Sequence, residues 1–283
     1  MDLAECLVAA LAVDGVEELN GGHQSRVFRV VGGNGLPAVA KVLNASMVNR
    51  DELDLRLDVT AALADLDPRV CRPVLLADQR VIDLTTADGQ MHLVVCFEFA
   101  LGAEPDPGSA ADAEEMGAAL SQLHLSMSRL AATPLPVVNA LRAGTGDDAI
   151  PSGTHQLLHG DFNASNLRHA DGVLRMFDFD DCGYGPPEFD VANALYMVLF
   201  DATTHGTVDA YKSFRRSFVD GYVGDSGPFL QPEFLDRFID LRVHALAAWL
   251  DDLDNAPIGV RTASSSWNAT LRSFVSGYRP ATH

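Results

Sequence analysis

The segment LLHGDFNASNLRHADGVLRMFDFDD, residues 157–181, decides how the rest of the chain is interpreted. LRH (167–169) and VLRMF (173–177) flank Asp171-Gly172, a dipeptide typical of tight turns, so we predict a short β-hairpin. The same segment carries a dense set of acidic and amide side chains: Asp161, Asn166, Asp178, Asp180 and Asp181. An ionised carboxylate is costly to bury unless it is paired. The concentration of acidic side chains in this segment therefore predicts either a bound cation or a reaction in which the carboxylates take part.

Residues 159–166 fit the pattern HxDxxxxN. Asn166 and Asp178 are equidistant from residue 172, so a simple hairpin would place them side by side at its open end, with Asp161 just upstream. Carboxylate and amide oxygens suit Mg²⁺, which prefers few protein ligands together with phosphate and water. In phosphoryl transfer a nearby carboxylate also accepts the proton of the attacking hydroxyl. The alternative is that these residues are turn formers on a solvated hairpin, and we accept it for the aspartate of the turn itself.

A lysine in an apolar segment upstream favours the functional interpretation. Lys41 lies within AVAKVL and calls for an anionic partner, although a side chain that extends to solvent from an edge strand is the alternative. Gly21-Gly22 and Ser25 precede it and would offer backbone N–H groups and a hydroxyl to phosphates. The combination with HGDFNASN indicates phosphate binding.

Composition limits the class of partner. The chain has 283 residues, 47% apolar and 21% charged, with a formal net charge of −19. Such a chain is typical of a globular protein and should be repelled by nucleic acid and by anionic membranes, whereas a cationic small molecule or Mg²⁺ would be attracted. No apolar run reaches membrane-spanning length and no signal peptide is found, so we expect a cytoplasmic protein. The isolated cysteines are predicted to be buried, reduced thiols: Cys6, Cys71, Cys96 and Cys182.

The pattern of elements changes near residue 100. Before it, we predict a mostly β lobe with one inserted helix, and after a Pro/Gly-rich connector we predict a larger helical lobe. The predicted early elements are a helix at 3–13, strands at 25–31 and 37–43, a helix at 49–66, and a hairpin of 80–84 with 91–99. The predicted later elements are a long helix capped by Ser109 with Asp112, and helices near 189–201, 208–222 and 232–251. The expected domains are residues 1–100, which bind nucleotide, and residues 101–283, which carry catalysis and the acceptor.

Several motifs, in this order, resemble the aminoglycoside phosphotransferase/choline kinase family. They are Lys41, LxxLH (Leu120 to His124), HGDxxxxN (His159 to Asn166), Asp178 and GPPxxDxA (Gly185 to Ala192). The segment DFDDCGYGPPEFDVA is similar to a bacterial branch that includes type II homoserine kinases. The resemblance implies an α+β, protein-kinase-like fold with a nucleotide cleft between a small β-rich lobe and a larger helical lobe.

The resemblance also implies roles for single residues. Asp161 would be the catalytic base, and Asn166 and Asp178 would bind Mg²⁺. Lys41 would hold the α- and β-phosphates, oriented by an acid on the following helix. That acid is Asp58 or the alternative Glu52.

Further positions follow from the same resemblance. Phe97, Glu98 and Phe99 would face the nucleotide base through their backbone groups, and Ser25 would cover the phosphates. Asp190 is expected to pin the catalytic loop, which is the HGDxxxxN segment from His159 to Asn166. The histidines of the motifs, His124 and His159, are expected to pack and hydrogen-bond, and Asp180 would touch metal or substrate.

Three classes of function are compared. The favoured class is a small-molecule kinase that transfers phosphate from ATP or GTP to a hydroxyl of an antibiotic or related metabolite; a homoserine- or choline-like alcohol is the alternative acceptor. A protein Ser/Thr kinase is disfavoured, because only seven residues separate Asp178 from Pro186 and leave no room for an activation segment. A pseudoenzyme is disfavoured because base, metal ligands and lysine are all present. We expect a monomer or a homodimer.

Overall fold

The structure is a computed structural model that divides into two compact units. It describes residues 2–19, 25–32, 38–75, 79–145, 155–224, 230, 232–254, 256–261 and 263–279. Unit 1 comprises residues 1–100 together with 257–262, and unit 2 comprises residues 101–256 together with 263–283. The Gly21-Gly22 segment, predicted to contact phosphate, lies outside the described residues. The nucleotide-binding and catalytic roles assigned to the two predicted domains stay predictions.

The elements alternate in type along unit 1 and are mainly helical in unit 2. The helices are α1 (Leu3–Leu11), α2 (Arg50–Leu66), α3 (Ala110–Met127), α4 (Asn139–Thr145), α5 (Pro187–His205), α6 (Val208–Val223), α7 (Pro232–Asp251), α8 (Ile258–Arg261) and α9 (Ser265–Gly277). The strands are β1 (Gly15–Leu19), β2 (Arg26–Val31), β3 (Ala38–Asn44), β4 (Pro73–Val74), β5 (Val81–Thr85), β6 (Met91–Glu98), β7 (Gln156–Leu158), β8 (Leu167–Ala170), β9 (Val173–Met176) and β10 (Gly183–Gly185).

Unit 1 is built on an antiparallel sheet in which β3 is a central strand. The strand order is β1-β2-β3-β6-β4, and β5 also pairs with β6. Alternate residues of β3 serve the two faces of the sheet: Ala40 and Val42 pack with α1, whereas Leu43 packs with Leu53 and Leu57 of α2. Residue 41 shares the α2 face with residue 43. The edge-strand alternative for Lys41 is therefore wrong, and its side chain is only 7% exposed.

The sequence prediction missed strand β1. Its segment GVEEL contains no buried residue, and Glu18 forms an exposed ion pair with Arg26 of β2. A half-exposed edge strand lacks the apolar alternation on which strand prediction depends. The pairing with β2, rather than local sequence pattern, holds it in place.

The predicted helices of unit 2 are confirmed, with ends that differ by a few residues. Apolar side chains recur along α5, α6 and α7 and are buried, among them Phe189, Phe214, Phe218 and Phe238. The Ser109 cap of α3 is also confirmed, because the backbone N–H of Asp112 donates to Ser109 Oγ over 3.2 Å. Helix α4 follows α3 along the chain and precedes β7.

Two expectations about the environment of the chain can be compared with the structure. All four cysteines are buried, as predicted, and none of them forms a disulfide bond. No helix in the described ranges combines the length and the apolar character that crossing a membrane requires.

The hairpin that follows the catalytic loop forms as predicted, but its register is shifted by one residue. Leu167 pairs with Met176 and Ala170 with Val173, so the turn contains only Asp171 and Gly172, both with positive φ. This two-residue turn places the symmetry point between residues 171 and 172 instead of on 172. Asn166 therefore faces Phe177, whose N–H donates to the Asn166 carbonyl over 3.2 Å. The predicted side-by-side position of Asn166 and Asp178 is wrong by one position.

Helices α3 and α6 approach each other closely through two glycines. A Cβ atom at Gly117 would lie 2.0 Å from the Phe218 carbonyl oxygen, and one at Gly221 would lie 2.0 Å from the Glu114 carbonyl oxygen. Real Cβ atoms do not approach backbone oxygen so closely, so each helix needs a glycine where it meets the backbone of the other. This contact places α3 and α6 side by side for the site described below.

We predict that Gly221→Ala lowers the free energy of unfolding by about 1–3 kcal/mol, because the new methyl group separates α6 from α3. Alanine is otherwise the better helix residue by about 1 kcal/mol. The matched control is Gly277→Ala at the end of α9, where no atom lies within 4 Å of the new Cβ. Urea denaturation of both variants measures the difference. Equal stability of the two variants would contradict the close approach.

Candidate active site

A buried carboxylate holds the start of the HGDxxxxN segment. Asp190, in the first turn of α5, is fully buried, and its Oδ2 accepts from the His159 backbone N–H over 2.7 Å. Its Oδ1 accepts from the Gly160 N–H over 2.9 Å. Hydrogen bonds from backbone amides stabilise a buried negative charge and fix the direction of the chain. Asp190 thus pins the loop, as the resemblance implied.

The same carboxylate is linked to α3 and α6 through a histidine. His124 Nε2 donates to Asp190 Oδ2 over 3.1 Å, and His124 Nδ1 lies 2.8 Å from the Tyr222 hydroxyl. His124 and Asp190 are both almost fully buried. His124 therefore packs and hydrogen-bonds, as predicted. His159 does likewise: its ring donates through Nε2 to the Phe177 carbonyl over 3.1 Å.

Two amides hold the carboxylate of Asp161 from opposite sides. Asn166 Nδ2 donates to Asp161 Oδ2 over 3.2 Å, and Asn193 Nδ2 donates to Asp161 Oδ1 over 3.2 Å. Asn166 Nδ2 also donates to the Asp161 backbone carbonyl over 2.8 Å. The carboxylate is therefore fixed in orientation, and neither neutral amide donor neutralises its charge. An ionised, oriented carboxylate of this kind can accept a proton from a hydroxyl.

The backbone is unusual at two positions next to Asp161. Gly160 has φ +87°, and a Cβ there would lie 2.1 Å from the Asp181 carbonyl oxygen, so only glycine fits. Asp178 has φ +67°, which is uncommon for a residue with a side chain. The resulting bend directs the chain after β9 back past the catalytic loop. A strained backbone conformation of this kind is often found at functional sites.

The carboxylates of the site raise one another's pKa. Desolvation by the surrounding protein raises the pKa of Asp161, while the positive charge of Arg242 and the hydrogen bond from Asn193 oppose the rise. Desolvation also raises the pKa of Asp181 to about 7, and the neighbouring charges of Asp161, Asp180 and Asp178 add to the effect. The cluster carries more negative charge than its surroundings compensate.

The oxygen donors of this cluster fit Mg²⁺. The amide N of Asn166 is committed to Asp161, which leaves its Oδ1 as the atom that would face a metal, and Asp178 adds an exposed carboxylate. Within the described ranges no group of three or more His, Cys, Asp or Glu side chains is arranged to hold a metal. Mg²⁺ needs few protein oxygens when phosphate and water complete its shell. Assignment of Asn166 and Asp178 as its ligands stays a prediction.

Unit 1 presents the residues predicted to bind nucleotide. Lys41 pairs in register with Val27 on β2 and Val95 on β6, in the middle of the sheet. Phe97 and Glu98 end β6, where Glu98 N–H donates to the Arg72 carbonyl over 2.9 Å, and the Arg29 guanidinium lies 5.3 Å from the centre of the following Phe99 ring.

The acid that would orient Lys41 is not identified by the ion pairs of α2. Asp58 is exposed and pairs with Arg80, and Glu52 pairs with Arg56 over 3.2 Å. The pairing of either acid with Lys41 stays a prediction. Ser25, just before β2, is partly buried, and its contact with phosphate also stays a prediction.

Two site residues were missed from the sequence. Asn193 lies in α5, three residues after Asp190, so two successive turns of the helix present these side chains to the catalytic loop. Arg242 lies in α7, far along the chain, and its charge acts on Asp161 and Asp181. The sequence feature that could have identified Asn193 is its position one helical turn beyond the motif aspartate Asp190. The feature that could have identified Arg242 is a charged residue among mostly apolar ones in LRVHALAAWL.

Known proteins match this chain in part of its sequence and in its fold. The model of the phosphotransferase enzyme family (APH) matches residues 143–233, which include Asp161, Asn166, Asp178 and Asp190. The predicted resemblance is confirmed over this part of the chain. No curated protein matches the sequence.

Solved structures share the fold over almost the whole chain. An amicoumacin kinase in complex with AMP-PNP and Ca²⁺ is 18% identical with a TM-score of 0.72, over 92% of this chain and 86% of that one. A microcompartment-associated aminopropanol kinase is 22% identical with a TM-score of 0.72, over 96% and 93%. A spectinomycin phosphotransferase in complex with ADP and spectinomycin is 13% identical with a TM-score of 0.65, over 98% and 94%. The predicted α+β, protein-kinase-like fold is confirmed.

We predict that Asp190→Asn lowers the free energy of unfolding by about 3 kcal/mol, because the new amide group opposes the N–H donors of the catalytic loop. Asp209→Asn is the matched control, since Asp209 on α6 is exposed and forms only a surface ion pair with Lys212. Thermal or urea unfolding measures both variants. A stability loss at Asp190 no larger than that of the control would show that Asp190 does not hold the loop.

Proposed function

We propose that the protein is a small-molecule kinase that transfers the γ-phosphate of ATP or GTP to a hydroxyl group of an antibiotic or a related secondary metabolite. The observation that carries the proposal is the carboxylate of Asp161, held between Asn166 and Asn193 and surrounded by further acids. The catalysed step requires a base with a fixed direction, and Asp161 meets this requirement.

In the proposed mechanism each residue has one task. Asp161 accepts the proton of the acceptor hydroxyl while the hydroxyl oxygen attacks the γ-phosphorus, and the bond from this phosphorus to the β-phosphate oxygen breaks to release ADP or GDP. Its raised pKa makes it a stronger base than an exposed aspartate. Asn166 and Asp178 would hold Mg²⁺, which would neutralise charge on the phosphates when bound. Asn193 and Asn166 keep the Asp161 carboxylate aligned, and the hydrogen bonds of Asp190 keep the loop in place.

The remaining parts of the proposal concern the nucleotide. Lys41 would hold the α- and β-phosphates, with Ser25 beside them, and the backbone of Phe97, Glu98 and Phe99 would face the base. Support comes from the position of Lys41 in the middle of a sheet strand, almost fully buried. We place the reaction in the cytoplasm, where nucleotide is available and the four free cysteines would stay reduced.

The acceptor class rests on the proteins of the same fold. The amicoumacin kinase and the spectinomycin phosphotransferase support an antibiotic, whereas the aminopropanol kinase supports the alternative of a small alcohol. A protein substrate is disfavoured, because α5 begins at Pro187, nine residues after Asp178, with only the short strand β10 between them.

We predict that Asp161→Asn reduces phosphate transfer at least about 100-fold, because the amide cannot accept the proton. Its affinity for Mg·ATP should change little. Asp178→Ala should raise the Kd for Mg·ATP about tenfold, because a metal ligand is lost. Transfer rates with [γ-³²P]ATP or GTP and titration calorimetry separate the two effects.

Asp171→Asn provides the matched control, since this exposed turn residue lies outside the site and asparagine also adopts its left-handed conformation. It should leave both transfer and binding unchanged. Equal loss of nucleotide affinity in the Asp161 and Asp178 variants would contradict the assigned roles. A protein that binds no Mg·nucleotide at millimolar concentration would refute the kinase proposal.

For the acceptor, expression of the protein in a sensitive bacterium should raise tolerance to one class of hydroxylated antibiotic, because phosphorylation adds charge and bulk at a recognised hydroxyl. Minimum inhibitory concentrations across antibiotic classes measure the effect, with the Asp161→Asn variant as the inactive control. Transfer to small alcohols in vitro, with no protection against any antibiotic class, would favour the alternative acceptor instead.

A further inference from the structure

Arg242 in α7 is surrounded by aromatic rings near the proposed base. Its guanidinium carbon lies 5.2 Å from the ring centre of Tyr196, 5.8 Å from that of Trp249 and 6.0 Å from that of Phe189. Two of these rings belong to α5, and Trp249 lies two turns further along α7, on the same face as Arg242. Aromatic faces attract a guanidinium at such distances and restrict its movement without using its N–H donors.

The donors of this guanidinium are not used within the described part of the chain. Arg242 Nε is buried and has no hydrogen-bond partner, and no carboxylate of a described residue forms an ion pair with the side chain. This is unexpected in a chain with 39 acidic and 20 basic residues, where Arg26, Arg50 and Arg72, for example, each pair with a carboxylate. A buried donor without a partner is costly, so its presence indicates a ligand that supplies one.

The packing of Arg242 against α5 indicates on which side of Asp161 it lies. Asp161 Oδ2 faces Asn166, the proposed metal side, whereas Oδ1 faces Asn193 of α5. Tyr196, against which Arg242 packs, lies three residues after Asn193, so both face the same side of α5. Arg242 therefore lies on the α5–α7 side of the base. The acceptor would bind on this side, opposite the side of the proposed metal and phosphates.

A second unsatisfied atom lies on the same side. Asn193 Oδ1 is buried and has no hydrogen-bond partner, while its Nδ2 binds Asp161 and the Phe162 carbonyl. The α5–α7 side thus presents one unused acceptor and one unused cationic donor next to the base. A molecule that carries both a donor and an anionic group would satisfy both atoms.

We infer that Arg242 binds a carboxylate of the acceptor, so that the enzyme selects hydroxyl compounds that carry a carboxylate near the reacting hydroxyl. The planar guanidinium matches a carboxylate in two-point geometry, which an ammonium group does not. The inference rests on the proposed kinase function and specifies its substrate class. It differs from the cationic acceptor that the net charge of −19 suggests, because the charged side chain on this side of Asp161 is an arginine.

The experiment uses matched pairs of acceptors that differ only by a carboxylate. One pair is homoserine and 3-amino-1-propanol, and the other is threonine and 1-amino-2-propanol. A panel of hydroxylated antibiotics with and without a carboxylate extends the comparison to larger acceptors. Transfer from [γ-³²P]ATP and [γ-³²P]GTP gives kcat and KM for each compound with the full-length protein.

The wild-type protein should prefer the carboxylate member of the pairs that react. Arg242→Met, which keeps the packing against the rings, should raise KM for carboxylate acceptors about 10- to 100-fold and change KM for acceptors without a carboxylate less than about threefold. Arg242→Lys should recover part of the loss. Arg237→Met is the matched control, because it removes the same charge from an exposed position of α7 and should change neither value.

The outcomes separate this inference from the proposed function. Transfer only to hydroxyl compounds that lack a carboxylate overturns the inference and leaves the kinase proposal intact. A fall in kcat that is equal for all acceptors in Arg242→Met, with KM unchanged, also overturns it, because the arginine would then act on the transferred phosphoryl group. Absence of transfer to every acceptor, together with absence of nucleotide binding, overturns the proposed function and the inference with it.

Discussion

The position of the proposed base depends on the buried carboxylate of Asp190. Three donors from two segments converge on it: the backbone N–H groups of His159 and Gly160, and the ring of His124. Its place in the first turn of α5 also exposes it to the positive end of the helix dipole. Because His124 in turn contacts Tyr222, the loop direction depends on the packing of α3 with α6, and hence on the glycines at which their backbones meet. A single carboxylate thus connects helix packing to the direction of Asp161.

Next to this anchor the chain brings acids together that oppose one another. Burial, together with the neighbouring charges of Asp161, Asp180 and Asp178, raises the pKa of Asp181 to about 7. Such an arrangement persists only if the surrounding structure determines it, and it does so through the left-handed residue at 178 and the glycine at 160. A bound cation would recover the stability lost to charge repulsion, since binding to the native state alone stabilises it. The acid density that makes the segment unusual as sequence is therefore a property of a site, and it is not needed for the fold.

The sequence predicted those elements of the fold that are determined by interactions between residues close together in the chain. The helices α5, α6 and α7 follow from their apolar periodicity, and the hairpin follows from the turn at Asp171-Gly172. The register was predicted one residue off, because hairpin symmetry was counted about a residue instead of about a peptide bond. Arg242 was missed because its relation to Asp161 exists only through the packing of α7 on α5, about 80 residues away in sequence. The partner of Lys41 was also beyond prediction, since Asp58 and Glu52 lie at suitable spacing and both have arginine neighbours.

The net charge of the whole chain favours a cationic acceptor, whereas Arg242 favours an acceptor with a carboxylate. The distance over which each charge acts decides between them. Electrostatic attraction through solvent is screened beyond about 8 Å at physiological salt, so surface acids affect the rate of encounter more than the bound state. Many of these acids are already paired on the surface, as Asp83 is with Arg50 and Asp65 with Arg72. A bound acceptor instead meets groups within hydrogen-bonding distance, where desolvation makes each contact stronger. On the α5–α7 side these groups are a partly buried arginine packed among aromatic rings, with its Nε buried, and an amide oxygen without a partner. Selectivity is therefore set by Arg242 and Asn193, and the net charge of −19 has little part in it.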